Sequence, residues 1–300
     1  MCGIIGLFIK NPELESQLGE LVAPMLVQMS ERGPDSAGIA VYRDPVDEGS
    51  AKLTVVSDDP DYDWAGVTAK LQQTFGQQAA CRPWVNHAVL TASATAHELQ
   101  RWLGAKYPEL RITSSGTTIE IYKEKGAPRE FIDRFQLQEL SGSHAVCHTR
   151  MATESAVTTE HSHPFSTGLD LCLVHNGSLS NHNRLRAMLQ RQGVAFQTDN
   201  DSEVAAGYLM WRLREGATLE EALEAALRDL DGFYTFAIGT REGFAMLRDP
   251  FGCKPAILAE TDDWAAMSSE FRAIATLPGV EDAKIWEPVP EQIYSWSRPR

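Results

Sequence analysis

The sequence is short of cysteine and of positive charge. Its five cysteines, Cys2, Cys81, Cys147, Cys172 and Cys253, are an odd number, and no CxxC or CxH spacing occurs among the 300 residues. A disulfide framework, a zinc knuckle and a protein-borne iron–sulfur cluster are therefore disfavoured. Lys and Arg number 27 against 41 Asp and Glu, a net charge of −14, and no long basic run is present. Nucleic acid and anionic membrane surfaces are correspondingly poor partners. No stretch approaches the ~20 apolar residues of a membrane span. Lys10, Glu13 and Glu15 interrupt the opening apolar run, and no basic segment precedes it, so a signal peptide is not expected. There is no Gly-rich phosphate loop, no flavin fingerprint and no internal repeat. The expectation is a cytoplasmic protein with no cofactor of its own.

What is present alternates apolar strands with amphipathic helices. GIIGLFI (3–9) reads as a buried strand. QLGELVAPMLVQMS (17–30) places Leu18, Leu21, Val22, Met25, Leu26 and Met29 on one helical face, with Pro24 expected to kink the helix or delay its start. Residues 45–140 differ in character. KLTVVS, NHAVLTASA, LRIT and TTIEIYK read as strands, and WAGVTAKLQQTF, AHELQRWLGA and PREFIDRF as helices, a pattern suggesting a small α+β insertion. From Ser143 the chain returns to strands (SHAVCHTR, LDLCLVHNG), then helices near 181–191, 201–214 and TLEEALEAALRDL, then four more strand-like runs. The fold class is α+β, and helices covering two antiparallel sheets, an αββα sandwich, is the natural packing.

Four polar stretches stand out, in addition to the opening pair Met1-Cys2. If Met1 is removed, Cys2 carries a thiol and a free α-amine together, a nucleophile with its own base. ERGPDSAG (31–38) is a turn by composition. HTRMAT (148–153) brings Arg150 to a strand end, where it is either a solvated charge or a fork for a carboxylate. HNGSLSN (175–181) is first a turn signal, yet Asn176 and the Gly177 N–H are apt for an oxyanion hole. TDNDSEV (198–204) reads as helix capping, with a carboxylate able to accept an ammonium. His161, His163 and His175 invite a metal, but their spacing fits no ligand pattern and none is expected.

Taken in order, MCGIIG (1–6), RGPDSAG (32–38), HTRMAT, HPF (163–165), HNGSLSN, DSE (201–203), DGFYTFAI (231–238), RDPFGCKP (248–255) and SSE (268–270) resemble the glutaminase domain of class II, N-terminal-nucleophile glutamine amidotransferases. The resemblance implies an N-terminal-nucleophile hydrolase sandwich over 1–300, interrupted at about 45–140. It implies Cys2 as nucleophile, Asn176 and Gly177 as oxyanion hole, Arg150 on the glutamine α-carboxylate and Asp201 on its α-ammonium, with Asp199 as the fallback. Arg32 and Thr153 match supporting substrate-site positions. Met151 departs from the aromatic residue of several relatives. The opening and RGPDSAG most resemble stand-alone amidotransferase subunits of glutamate-synthase-like complexes, N-methylglutamate synthase included. The implied partners are glutamine and synthase subunits carrying flavin and iron–sulfur chemistry, because no ammonia-acceptor domain is expected in this chain. The alternatives are a glutaminase subunit for another acceptor and a catalytically silent glutamine-sensing or scaffold subunit.

Overall fold

The fold was obtained as a computed structural model that describes residues 2–151 and 157–298. The chain opens with β1 (Gly3–Ile9), α1 (Leu18–Gln28) and β2 (Ser36–Tyr42). Next come β3 (Ala51–Val56), α2 (Trp64–Phe75), β4 (Ala80–Trp84), β5 (His87–Ala92), α3 (Ala96–Lys106) and β6 (Arg111–Gly116). β7 (Ile119–Lys125), α4 (Pro128–Arg134), β8 (His144–Arg150), β9 (Phe165–Gly168) and β10 (Leu171–Leu179) follow. The rest is α5 (His182–Arg191), α6 (Asp201–Arg214), α7 (Leu219–Asp229), β11 (Gly232–Gly239), β12 (Gly243–Arg248), β13 (Ile257–Glu260), β14 (Trp264–Ser268), α8 (Phe271–Ile274), β15 (Lys284–Trp286) and β16 (Tyr294–Ser297).

Two antiparallel sheets form the centre. One runs β15-β13-β14-β1-β8-β2-β7 and the other β16-β12-β11-β10-β9. Ile4, Phe8, Tyr42, Val146, Val174 and Phe244 fill the space between them. The outer face of the first sheet packs on α1, α4 and α8 through residues such as Leu26, Phe131 and Ile274. The outer face of the second packs on α5, α6 and α7 through Leu189, Leu209 and Leu223. This is the αββα sandwich the sequence pattern implies, with the inner strands of both sheets buried and the edge strands β15 and β16 partly exposed. No helix among the described residues is long and apolar enough to cross a membrane.

α1 runs through Pro24 rather than starting after it. Pro24 faces solvent while Val22, Met25 and Leu26 are buried, and burying side chains of that size, at about 1.5–3 kcal/mol each, offsets the interruption. Of residues 45–140, the stretch 51–116 builds a separate sheet, β4-β5-β3-β6, with its own core under α2 and α3. β7 instead pairs with β2 in the main sheet, and α4 packs on the main core. β4, which the sequence pattern does not suggest, is an edge strand, the position in a sheet that tolerates a proline such as Pro83. The separate sheet is bolted down by charge: Lys52 Nζ and Arg82 Nη2 lie 3.0 and 2.6 Å from Glu120 Oε1, whose side chain is fully buried on β7.

Candidate active site

Cys2 stands immediately before β1, which runs centrally between β14 and β8. Its placement is held from two sides. Ile4 N donates to Ser269 Oγ at 3.0 Å, and Ser269 N returns a bond to Ile4 O at 3.0 Å. The Cys2 carbonyl accepts from Arg32 Nε at 3.0 Å and from Asn176 Nδ2 at 3.3 Å. Arg32 is itself fixed by Glu270, 2.7 Å from Nη1. The SSE stretch (268–270), quoted in the sequence pattern without a role, thus anchors the first residues of the chain. Arg32, expected among the substrate-binding residues, is engaged with the Cys2 main chain and Glu270. The Cys2 thiol is partly exposed and lies 3.9 Å from the Met151 carbonyl. Cys147 and Cys172 are buried, and burial pushes both thiols up, Cys172 to about 11.

Asn176 and Gly177 lie on β10, opposite Thr235 and Tyr234 of β11. Gly177 has φ +149°, and a Cβ there would sit 1.8 Å from the Phe233 carbonyl oxygen. Only glycine lets β10 approach β11 so closely at this point. Asn176 Nδ2 carries two N–H groups; one accounts for the Cys2 carbonyl and the other is available to a second acceptor beside the nucleophile.

Arg150 closes β8 and is 5% exposed. Its strand neighbour across the ladder is Ser36, and Asp35 N donates to the Arg150 carbonyl at 3.0 Å. Gly33 lets the RGPDSAG turn lie directly on β8: a Cβ there would fall 2.3 Å from the Thr149 carbonyl carbon. The two motifs, over a hundred residues apart, are one structural unit. Thr153 lies outside the described residues.

Asp201 begins α6 behind the strand that carries Asn176. Its Oδ2 accepts from Leu179 N at 2.8 Å, and its Oδ1 lies 3.3 Å from Ser202 Oγ and 3.8 Å from His175 Nδ1. Asp199 points elsewhere: it holds His161 Nε2 at 2.9 Å, and its side chain is 85% exposed. Three buried histidines join these elements. The rings of His148 and His163 stand 4.0 Å apart, His148 Nε2 lies 3.1 Å from the His175 carbonyl, and His175 Nδ1 lies 2.9 Å from Ser202 Oγ. Burial pulls all three down, His148 to about 3 and His163 well below its ordinary value, while Asp201 opposes the effect at His175. The imidazoles are neutral near pH 7, so the Asp201 charge is not already neutralised by an imidazolium. The sequence suggests His161, His163 and His175 as candidate metal ligands; in the fold His161 meets Asp199, His175 meets Ser202, and His163 lies against the His148 ring with neither of its nitrogens hydrogen-bonded among the described residues. A cavity of about 730 Å³ between β6, β9 and α6 is not lined by Cys2, Arg150 or Asn176.

Residues 148–276 match the glutamine amidotransferase domain model. The chain is 51% identical over 297 residues to the glutamine amidotransferase-like protein GlxB of Rhizobium meliloti, covering 99% of this chain and 98% of that protein. The chain belongs to the class II glutamine amidotransferases. This amidotransferase is also 32% identical over 168 residues to the amidophosphoribosyltransferase of Methanocaldococcus jannaschii, which is 55% of this chain and 36% of that protein. In fold it is similar to the solved structure of the allosteric regulatory enzyme of purine biosynthesis, with a TM-score of 0.62 at 21% identity over 99% of this chain and 47% of the other.

Proposed function

We propose that this amidotransferase hydrolyses glutamine to glutamate and ammonia through a thioester on Cys2. The observation that carries the reading is the meeting of Asn176 Nδ2 with the Cys2 carbonyl at 3.3 Å, across 174 positions of sequence, which sets an oxyanion donor beside the nucleophile. After removal of Met1 the Cys2 α-amine takes the thiol proton, and Sγ attacks the glutamine side-chain carbonyl carbon. The Asn176 amide and the Gly177 N–H hold the developing oxyanion; one such donor is worth about 10²–10³ in kcat. The intermediate collapses, the carbon–nitrogen bond breaks, and ammonia leaves with the proton from the Cys2 ammonium. Water, deprotonated by the same amine, then cleaves the thioester and releases glutamate and the thiol. Arg150 grips the α-carboxylate and Asp201 the α-ammonium, both remote from the reacting carbon, so their contribution is orientation. Arg32 acts through Cys2, whose carbonyl it fixes. Thr153 supports the same substrate site.

We further propose that the chain is one amidotransferase domain with an inserted unit whose own sheet spans 51–116, and that it passes ammonia to separate synthase subunits bearing flavin and iron–sulfur chemistry, as in glutamate-synthase-like or N-methylglutamate synthase complexes. The motif resemblance of MCGIIGLF and RGPDSAG supports this reading. Ammonia release is measured with and without candidate synthase subunits: low turnover alone and stimulation by the partner is the expected result. Equal turnover in both conditions refutes the coupling, and no turnover in either refutes the glutaminase.

A further inference from the structure

Lys123 is a buried cation that the proposed chemistry does not use. It sits on β7 opposite Gly38 of β2 and is 6% exposed. A buried ammonium ordinarily finds a carboxylate. Among the described residues none lies within ion-pair distance of Lys123. Its Nζ instead donates to three main-chain carbonyls of one segment: Glu160 at 3.3 Å, Ser162 at 2.8 Å and Pro164 at 3.3 Å. The three donors of the ammonium match three acceptors. The Phe165 ring lies 4.8 Å from the same nitrogen. The segment rests flat on β2, since a Cβ on Gly38 would come within 2.0 Å of the His163 carbonyl oxygen.

That segment joins both ends of the candidate site. The His163 ring lies against that of His148, two residues before Arg150, and His161 holds Asp199, two residues before Asp201. We propose that Lys123 is a positioning residue for glutamine, its ammonium gathering the 160–164 carbonyls so that the segment sets the spacing between Arg150 and Asp201. The proposal rests on the reading that those two residues hold glutamine. A positioning role of this kind acts on substrate affinity and leaves the Cys2 chemistry in place.

The environment also makes the grip sensitive to pH. Burial lowers the Lys123 ammonium to about 8, with Arg111 on β6 acting in the same direction and Glu203 on α6 and Glu160 in the segment opposing it. His87 of β5, whose Nε2 lies 3.5 Å from the Lys123 main-chain N, and His163 also feel its charge, and both are neutral. A neutral amine has two N–H groups and a lone pair against three carbonyls, so the grip loosens as pH rises through 8. The sign for stability is the reverse. The unfolded lysine keeps its proton to about 10.5, so from this group folding gains between pH 8 and 10.5. Loss of affinity without loss of stability is the signature.

The test is glutamine hydrolysis by the full chain from pH 7 to 9, comparing wild type, Lys123→Met and Lys123→Arg, with melting temperatures alongside. Lys123→Met is expected to raise KM at pH 7 by about tenfold with kcat within about twofold, on the scale of a lost charge-assisted hydrogen bond. Wild-type KM is expected to climb above pH 8 more steeply than that of Lys123→Arg, whose charge persists. The substrate ammonium and the Cys2 amine titrate in both, so the difference isolates Lys123. Parallel KM profiles, an unchanged KM in Lys123→Met, or a loss of kcat and melting temperature together overturn the inference while the glutaminase reading stands. If Lys123→Met does not fold, the wild-type and Lys123→Arg profiles decide alone. Absence of hydrolysis by the wild type overturns both.

Discussion

Replacing Asp201 by asparagine separates its charge from its structural bond. Asp201 Oδ2 accepts from Leu179 N at 2.8 Å, and an asparagine carbonyl oxygen can keep that bond. What Asp201→Asn removes is the carboxylate proposed to face the substrate ammonium. A hydrogen bond to a charged group is worth about 1.5–3 kcal/mol, so kcat/KM should fall roughly 10- to 150-fold, with most of the change in KM. Asp201→Ala also leaves the Leu179 N–H without its acceptor, a further cost of about 1–3 kcal/mol that should appear as a lower melting temperature. Asp199→Asn is the control. Its partner His161 is half-buried, but the Asp199 side chain is 85% exposed, and pairs with so exposed a carboxylate contribute about 0–1 kcal/mol. Its kcat/KM should stay within about fivefold of wild type by that scale. The assay is steady-state ammonia release against glutamine concentration at pH 7. A silent Asp201→Asn together with a crippled Asp199→Asn would refute the assignment and move the ammonium to the other carboxylate.

A diazo-ketone glutamine analogue should label Cys2 and none of Cys81, Cys147, Cys172 or Cys253, because burial raises the first three of those thiols and the exposed Cys253 lacks the α-amine base of an N-terminal cysteine; intact mass and peptide mapping read the result, and full activity in Cys2→Ala sinks the mechanism. Arg32→Met removes the 3.0 Å bond to the Cys2 carbonyl and should lower kcat about tenfold or more with KM nearly unchanged, the scale of one charge-assisted bond; a pure KM effect would instead mean direct substrate contact. Acid should destabilise the fold before carboxylates are protonated. His87, His144 and His148 are held down to about 3, 4 and 3 by burial, below the ordinary histidine value, so the unfolded chain binds more protons as pH falls from about 6.5. Each contributes a slope of up to about 1.4 kcal/mol per pH unit, stability rising with pH; denaturant midpoints from pH 4.5 to 7 that stay flat would contradict it.

Much of this protein can be read along the chain because its signals are local. Thr218 and Glu221 frame α7 in a capping box, and its apolar spacing is visible in TLEEALEAALRDL. Cys2, Arg150, Asn176 and Asp201 are short polar interruptions beside apolar strands, so the residue types needed for amide attack stand out before any fold is known. The alternation of strands and amphipathic helices also implies two sheets covered by helices. Tertiary structure decided what depends on contact across long separations. The Arg32 side chain meets the Cys2 carbonyl from 30 positions away and Glu270 from 238, and no local pattern encodes either meeting. Asp199 and Asp201 look equivalent in TDNDSEV; they part only because α6 starts at Asp201, turning Asp201 toward Leu179 and leaving Asp199 exposed against His161. β4 is invisible in a sequence containing Pro83 until the sheet order makes it an edge, and β7 belongs to the main sheet because Gly38 and Lys123 pair there. Lys123 itself carries no signal of its own in the strand TTIEIYK. Only the packed β2, β7 and 160–164 segment turn it into a buried cation, because burial is a property of neighbours in space rather than of neighbours in sequence.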